Sequence, residues 1–128
     1  MAQAWIQLSK PGVEMLRFFC FPYSGGTAQI FRPFVGLLPA GARIYAFELP
    51  GRGRRFTDPP IDSVPPMVKE ALTGMISLLG SGDSFFFGHS LGGLLAFELT
   101  RELRRQGLPM PKHLYVSGIR APQVPRRE

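Results

Sequence analysis

The chain has 128 residues, 45% of them hydrophobic, a formal charge of +6 and one cysteine. That is enough for one domain with a real core, too short for two, too apolar for disorder, and without the run of about 20 apolar residues that spans a bilayer. Cys20 alone rules out an internal disulfide and agrees with a reducing compartment, and the first dozen residues lack the layout of a secretion signal, so a cytoplasmic protein is expected.

The charge comes from arginine clusters at Arg52, Arg54 and Arg55, at Arg101, Arg104 and Arg105, and at Arg126 and Arg127. Such clusters either steer an acidic partner or lie solvated on helix faces and loops. Nucleic-acid binding is not expected, because no aromatic-interleaved basic stripe accompanies them.

In chain order, Trp5, Ile6 and Leu8 form a short lead-in that ends at the turn Lys10-Pro11-Gly12. Met15 to Phe21 is nearly all apolar, as in a strand buried on both faces of a parallel sheet. It runs into Pro22-Tyr23-Ser24-Gly25-Gly26, a turn of small residues. Ile30, Phe34, Leu37 and Leu38 then share one helical face, with Pro33 limiting that helix or sitting in its first turn. Arg43 to Glu48 reads as a second strand, broken by Leu49-Pro50-Gly51-Arg52-Gly53. A proline-rich connection precedes a helix over Pro66 to Leu79 with an apolar stripe at Val68, Leu72, Met75, Ile76 and Leu79.

Ser84 to Phe87 is a third strand, and it meets the pattern G-x-S-x-G at Gly88, Ser90 and Gly92. In a sharp strand-to-helix turn the serine takes a strained conformation that exposes its hydroxyl. The residues two before and two after pass too close to tolerate side chains. The following helix, to about Gln106, carries Leu91, Leu95, Leu99 and Leu103 four apart and directs the positive end of its dipole at the serine, which suits a developing oxyanion. His113 to Ser117 is the fourth strand, and residues 118–128 have no period. The alternation of strand and helix predicts an α/β fold, a parallel sheet flanked by helices on both faces, with the site at the carboxyl ends of the strands.

If the first and third strands are neighbours, the Pro22–Gly26 turn lies beside Ser90. A backbone N–H from that turn, Ser24 first and Tyr23 second, then joins the N–H of Leu91 as an oxyanion hole. A phosphate-cradling loop at Gly25-Gly26 is the competing idea, but the G-x-x-x-x-G-K-[ST] pattern is absent.

Phe21-Pro22-Tyr23-Ser24-Gly25-Gly26, Leu49-Pro50-Gly51-Arg52-Gly53-Arg54-Arg55, Gly88-His89-Ser90-Leu91-Gly92-Gly93 and Val116-Ser117-Gly118 with Arg120-Ala121-Pro122 resemble, in order and spacing, the type II thioesterases of polyketide and nonribosomal peptide synthesis. The resemblance runs from about Arg17 to Arg127. It implies an α/β-hydrolase that cleaves acyl thioesters from the phosphopantetheine arm of a carrier protein, with Ser90 as nucleophile and the N–H groups of Ser24 and Leu91 as oxyanion hole. Most members have alanine where this chain has Ser24, a change of little weight for a backbone donor. Carrier proteins are typically acidic, which gives Arg52, Arg54 and Arg55 a reason. No metal and no cofactor of the chain's own are implied.

The resemblance also shows what is missing. In this fold an acid and a histidine follow the serine. Only His113 follows Ser90, at the amino end of its strand, and about 16 Å of strand separates the two. His89 points elsewhere as a neighbour in the elbow, Cys20 is a core residue, Asp83 a turn residue, and Asp58 and Asp62 lie in the proline-rich connection. The chain therefore resembles a partial hydrolase of four main strands without lid and last strands, with 118–128 an irregular tail where a lid would begin. It is expected to be nearly inactive alone, a base being worth on the order of 10⁶ in turnover, and to carry a bare hydrophobic edge at its fourth strand. Two alternatives are a general esterase or lipase of the same fold and a non-catalytic module that binds a carrier or another subunit.

Overall fold

The computed structural model describes residues 4–9, 16–39, 42–61, 63–79 and 83–118. Five strands form one sheet in the order β1-β3-β2-β4-β5. They are β1 (Trp5–Gln7), β2 (Leu16–Phe21), β3 (Ala42–Phe47), β4 (Asp83–His89) and β5 (His113–Ser117). All neighbours run parallel except β1, which is antiparallel to β3. The two strands expected to be adjacent are adjacent: β2 pairs with β4 in a register that sets Phe21 opposite Gly88.

Period-two alternation sorts the side chains of β2 into two cores. Phe19 and Phe21 face the side covered by α1 (Val64–Met75) and α2 (Leu91–Arg105), where they meet Met75, Leu95 and Leu99. Cys20 faces the other side with Ala28, Phe31 and Ile44. Helical cover on both faces is thus present, but the second face is covered by a nine-residue 3₁₀ segment, Ala28–Gly36, with Pro33 inside it. Its fully buried residues, Ala28 and Phe31, are three apart as a 3₁₀ helix requires, and Ile30, Phe34 and Val35 pack partly against the same core. Of the stripe expected at 3.6-residue spacing, Ile30, Phe34 and Leu38 pack against this core, and Leu37 departs from it, 79% exposed.

The helix expected over Pro66 to Leu79 starts earlier, behind Ser63 with Pro65 and Pro66 in its first turn, where their missing N–H groups cost nothing. It ends at Met75 and tightens to 3₁₀ over Ile76–Leu78, which turns Ile76 outward. The lead-in at Trp5 is an edge strand. Trp5 is buried, donates Nε1–H to the Ala71 carbonyl at 2.9 Å and sets its ring edge-on to Phe19 and Phe21, both at 5.2 Å. At the opposite edge, β5 exposes Tyr115 and Val116, as expected of the fourth predicted strand. No helix among the described residues is long and apolar enough to cross a membrane. The tail predicted over 118–128 lies, beyond Gly118, outside the described residues.

Candidate active site

Ser90 joins β4 to α2 with φ 56° and ψ −120°, the one non-glycine residue of positive φ among those described. Such a conformation costs about 1–3 kcal/mol and persists only where its surroundings dictate it. Here they do. The Ser90 N–H donates to the Ser117 carbonyl at 2.8 Å, and the Ser90 carbonyl accepts the N–H groups of Gly93 at 2.9 Å and Leu94 at 3.2 Å. The side chain does not cap α2 as serines at that position usually do, so its hydroxyl is not consumed in holding the helix.

The two flanking glycines are required by close approach. A Cβ on Gly88 would overlap the Gly92 carbonyl and reach 2.6 Å from the Gly93 nitrogen. One on Gly92 would overlap the Phe21 carbonyl and reach 2.7 Å from that of Pro22. The second contact presses the end of β2 against the start of α2 and so brings the first glycine-rich turn to the elbow. That turn is Tyr23–Gly26, closed by the Gly26 N–H on the Tyr23 carbonyl at 2.9 Å, with Gly25 at φ 85° in its third position.

Ser24 and Gly25 of that turn and Leu91 of α2 line one cavity of about 290 Å³, whose other walls include Leu49, Pro50 and Met67. Neither the Ser24 nor the Leu91 N–H has a backbone acceptor among the described residues. Leu91 opens a 15-residue helix whose first amides lack intrahelical partners and carry its positive dipole end. The arrangement offers two unengaged donors across a pocket beside a half-buried, strained serine. A larger cavity of about 510 Å³ lies elsewhere, between α1 and α2, with Lys69, Glu98 and Arg105 on its rim.

The profile of the thioesterase domain family matches residues 17–128. The chain belongs to this family. Among curated relatives it is 38% identical over 110 residues to the gramicidin S biosynthesis protein GrsT of Aneurinibacillus migulanus, covering 86% of this chain and 43% of GrsT. It is 34% identical to thioesterase PikA5 of Streptomyces venezuelae, covering 94% of this chain and 43% of that one. Among solved structures, the RedJ thioesterase of the prodiginine pathway in Streptomyces coelicolor superposes with a TM-score of 0.82 at 40% identity, over 91% of this chain and 48% of RedJ. ClbQ of the colibactin pathway gives 0.83 at 32% identity, over 90% and 48%. The chain thus spans a little under half the length of these relatives.

Against this family frame the remaining predicted residues fall into place or out of it. His89 is engaged with Ser117: its Nδ1 lies 2.8 Å from Ser117 Oγ, and its ring stands edge-on to Tyr23 at 6.0 Å. His113 pairs in register with Phe85 and stacks on it, five positions before Ser90. Cys20 is buried in the sheet, and desolvation pushes its thiol up to about 12, which removes it as a nucleophile. Asp83, expected in a turn, begins β4 at the far end from Ser90 and pairs with Lys112 at 3.6 Å. Asp62 lies outside the described residues.

The arginine cluster divides. Arg52 lines the cavity beside Ser24, and Arg54 is exposed. Arg55, expected with them as carrier-binding, is corrected: it is 2% exposed and turned inward. It forms a two-pronged pair with Glu70 at 2.5 and 2.7 Å, a third bond to Asp58 at 3.0 Å and a fourth to the Glu48 carbonyl at 2.8 Å. Burial alone would lower its pKa, but the hydrogen bonds and charges of Glu70 and Asp58 outweigh that and raise it. On α2, Arg101 pairs with Glu98 and Arg105 with Glu102, which leaves less free positive charge there than the sequence count implies. Both Ser117 and Glu48 were missed as site-supporting residues: Ser117 lies in the Val116-Ser117-Gly118 motif, which gave it no role, and Glu48 has no sequence signal beyond its place at a strand end.

Proposed function

We propose that Ser90 is the nucleophile of a serine thioesterase acting on acyl groups held on the phosphopantetheine arm of carrier proteins in polyketide or nonribosomal peptide synthesis. The observation that carries this reading is the strained Ser90 beside a cavity lined by both Ser24 and Leu91. The serine Oγ attacks the thioester carbonyl carbon, its proton passes to a base, and the oxyanion is held by the N–H groups of Ser24 and Leu91. The C–S bond then breaks, the base returns the proton to the pantetheine sulfur, and water releases the acid from the acyl-serine by the same route. The acyl group arrives on its carrier, so the reaction calls for no cofactor of the chain's own and no metal.

The sequence has two histidines: His89 is engaged with the Ser117 hydroxyl, and His113 lies opposite Phe85, five positions before Ser90. Base and acid therefore come from outside these residues, in the same or another polypeptide, and the 128 residues act as one partial domain in the cytoplasm. Arg52 and Arg54 face an acidic carrier. The test is hydrolysis of an acyl-pantetheine thioester by the chain alone and with the carboxy-terminal half of a homologous thioesterase. Turnover only in the pair, lost in Ser90→Ala, is expected; turnover that survives Ser90→Ala sinks the reading. The exposed Tyr115 and Val116 of β5 favour a second reading, a non-catalytic module that docks a carrier or subunit. Salt-sensitive carrier binding without turnover in the pair would select it.

A further inference from the structure

Glu48 follows the last residue of β3 and is 1% exposed, yet the reaction proposed above gives it no part. Its Oε1 accepts the N–H of Ala28 at 2.8 Å. Ala28 is the first residue of the 3₁₀ segment, and Thr27, at the capping position, contributes no side-chain bond. A carboxylate from the sheet therefore does what the local cap does not.

The same carboxylate closes on a second segment. Gly53, at φ 49°, lies flush against it: a Cβ there would come within 2.7 Å of both oxygens. The Glu48 carbonyl accepts the Arg55 guanidinium at 2.8 Å, and its N–H donates to the Ala4 carbonyl at 2.7 Å. One residue fixed to the sheet thus holds two chain segments. One leads out of the Tyr23–Gly26 turn, and the other runs through Leu49, Pro50 and Arg52. Ser24 and Gly25 of the turn before the first, and Leu49, Pro50 and Arg52 of the second, line the cavity beside Leu91. The near end of the first turn is already pinned by Gly92 against Phe21, so Glu48 supplies the pin at its far end.

We infer that Glu48 is a positioning residue for the oxyanion turn, setting the Ser24 N–H and the Pro50–Arg52 wall at a fixed separation across the cavity. The inference rests on the reading that Ser24 is an oxyanion donor. A donor misplaced by about 1 Å costs catalysis while leaving substrate affinity largely intact, because the bond is made in the transition state.

Glu48→Gln keeps volume and an acceptor oxygen; Glu48→Met keeps volume without one. In the 128-residue chain, amide exchange at Ala28 should speed about tenfold or more in Glu48→Met relative to Phe86 in β4, with the Ser24 and Gly25 amide resonances shifted, and return to near the parent rate in Glu48→Gln. In the pair that hydrolyses acyl-pantetheine, kcat should fall about tenfold in Glu48→Met at unchanged KM, with Gln restoring it. Should Glu48→Met not fold, Gly53→Ala displaces the carboxylate without removing it and should loosen Ala28 in the same way. Unchanged Ala28 exchange in the folded variant, or loosening there with kcat intact, overturns the inference. Hydrolysis that survives Ser90→Ala defeats the reading beneath it and leaves the exchange result standing.

Discussion

Gly92 at the start of α2 lies against the carbonyl of Phe21 at the end of β2, closer than any side chain would allow. This contact brings the two glycine-rich turns together. Gly92→Ala must part them, and overpacking of backbone against backbone has no flexible side chain to yield. We expect the variant to lose roughly 2–4 kcal/mol in denaturant unfolding. Gly36→Ala, where an added Cβ meets nothing within 4 Å, should be neutral or slightly stabilising in the same assay.

Trp5 ties the edge strand to α1 as well as to β2. Trp5→Ala should cost about 3–5 kcal/mol through lost burial. Trp5→Phe, which keeps most of the ring contacts but abandons the Ala71 carbonyl, should cost about 1–2 kcal/mol. An unchanged stability in Trp5→Phe would show that the indole hydrogen bond carries no separate weight; equal losses in the two variants would show that the ring contacts carry none.

Arg55 and Arg54 are adjacent and should behave oppositely. Arg55→Met leaves Glu70 and the buried Asp58 facing one another without their cation, a loss of about 3–5 kcal/mol. Arg54→Ala should change stability by less than about 0.5 kcal/mol. Titration with an acidic carrier protein should invert the ranking, the double variant Arg52→Ala with Arg54→Ala weakening binding and flattening its salt dependence.

Cys20 gives a pH signature. Its thiol ionises near 9.0 when exposed and near 12 in the fold. Between those values the unfolded chain has released a proton that the folded chain keeps. This contribution to stability is therefore whole below about pH 9 and declines as pH rises toward 12, by up to about 1.4 kcal/mol per pH unit. Cys20→Ala should be less stable at neutral pH and lose stability less steeply in that window. At pH 8 a thiol reagent should label the parent chain only at the rate of unfolding.

Where one strong periodicity dominates, the sequence was legible. The apolar runs of β2 and β4, the leucines of α2 and the G-x-S-x-G spacing each had one reading, and the first turn falls beside Ser90 on a condition that the fold meets, that β2 and β4 are neighbours. β1 was not legible, because three residues carry no period and its pairing comes from Trp5 reaching Ala71 in the folded chain. Pro33 hid a 3₁₀ segment, since Ala28, Phe31 and Phe34 repeat at three residues while neighbouring apolar residues mimic a wider stripe. Arg55 and Glu48 read as surface charge and strand end. Their inward course depends on partners from Ala28 to Glu70, too far apart in sequence to signal one another.

Covalent capture tests whether Ser90 is a nucleophile served by two converging turns. The chain, paired with the carboxy-terminal half of a homologous thioesterase, is treated with a fluorophosphonate and its intact mass is measured. We predict one adduct on this chain, mapped to Ser90 by peptide sequencing and absent in Ser90→Ala. An adduct on another residue, or an adduct that persists in Ser90→Ala, would contradict the account.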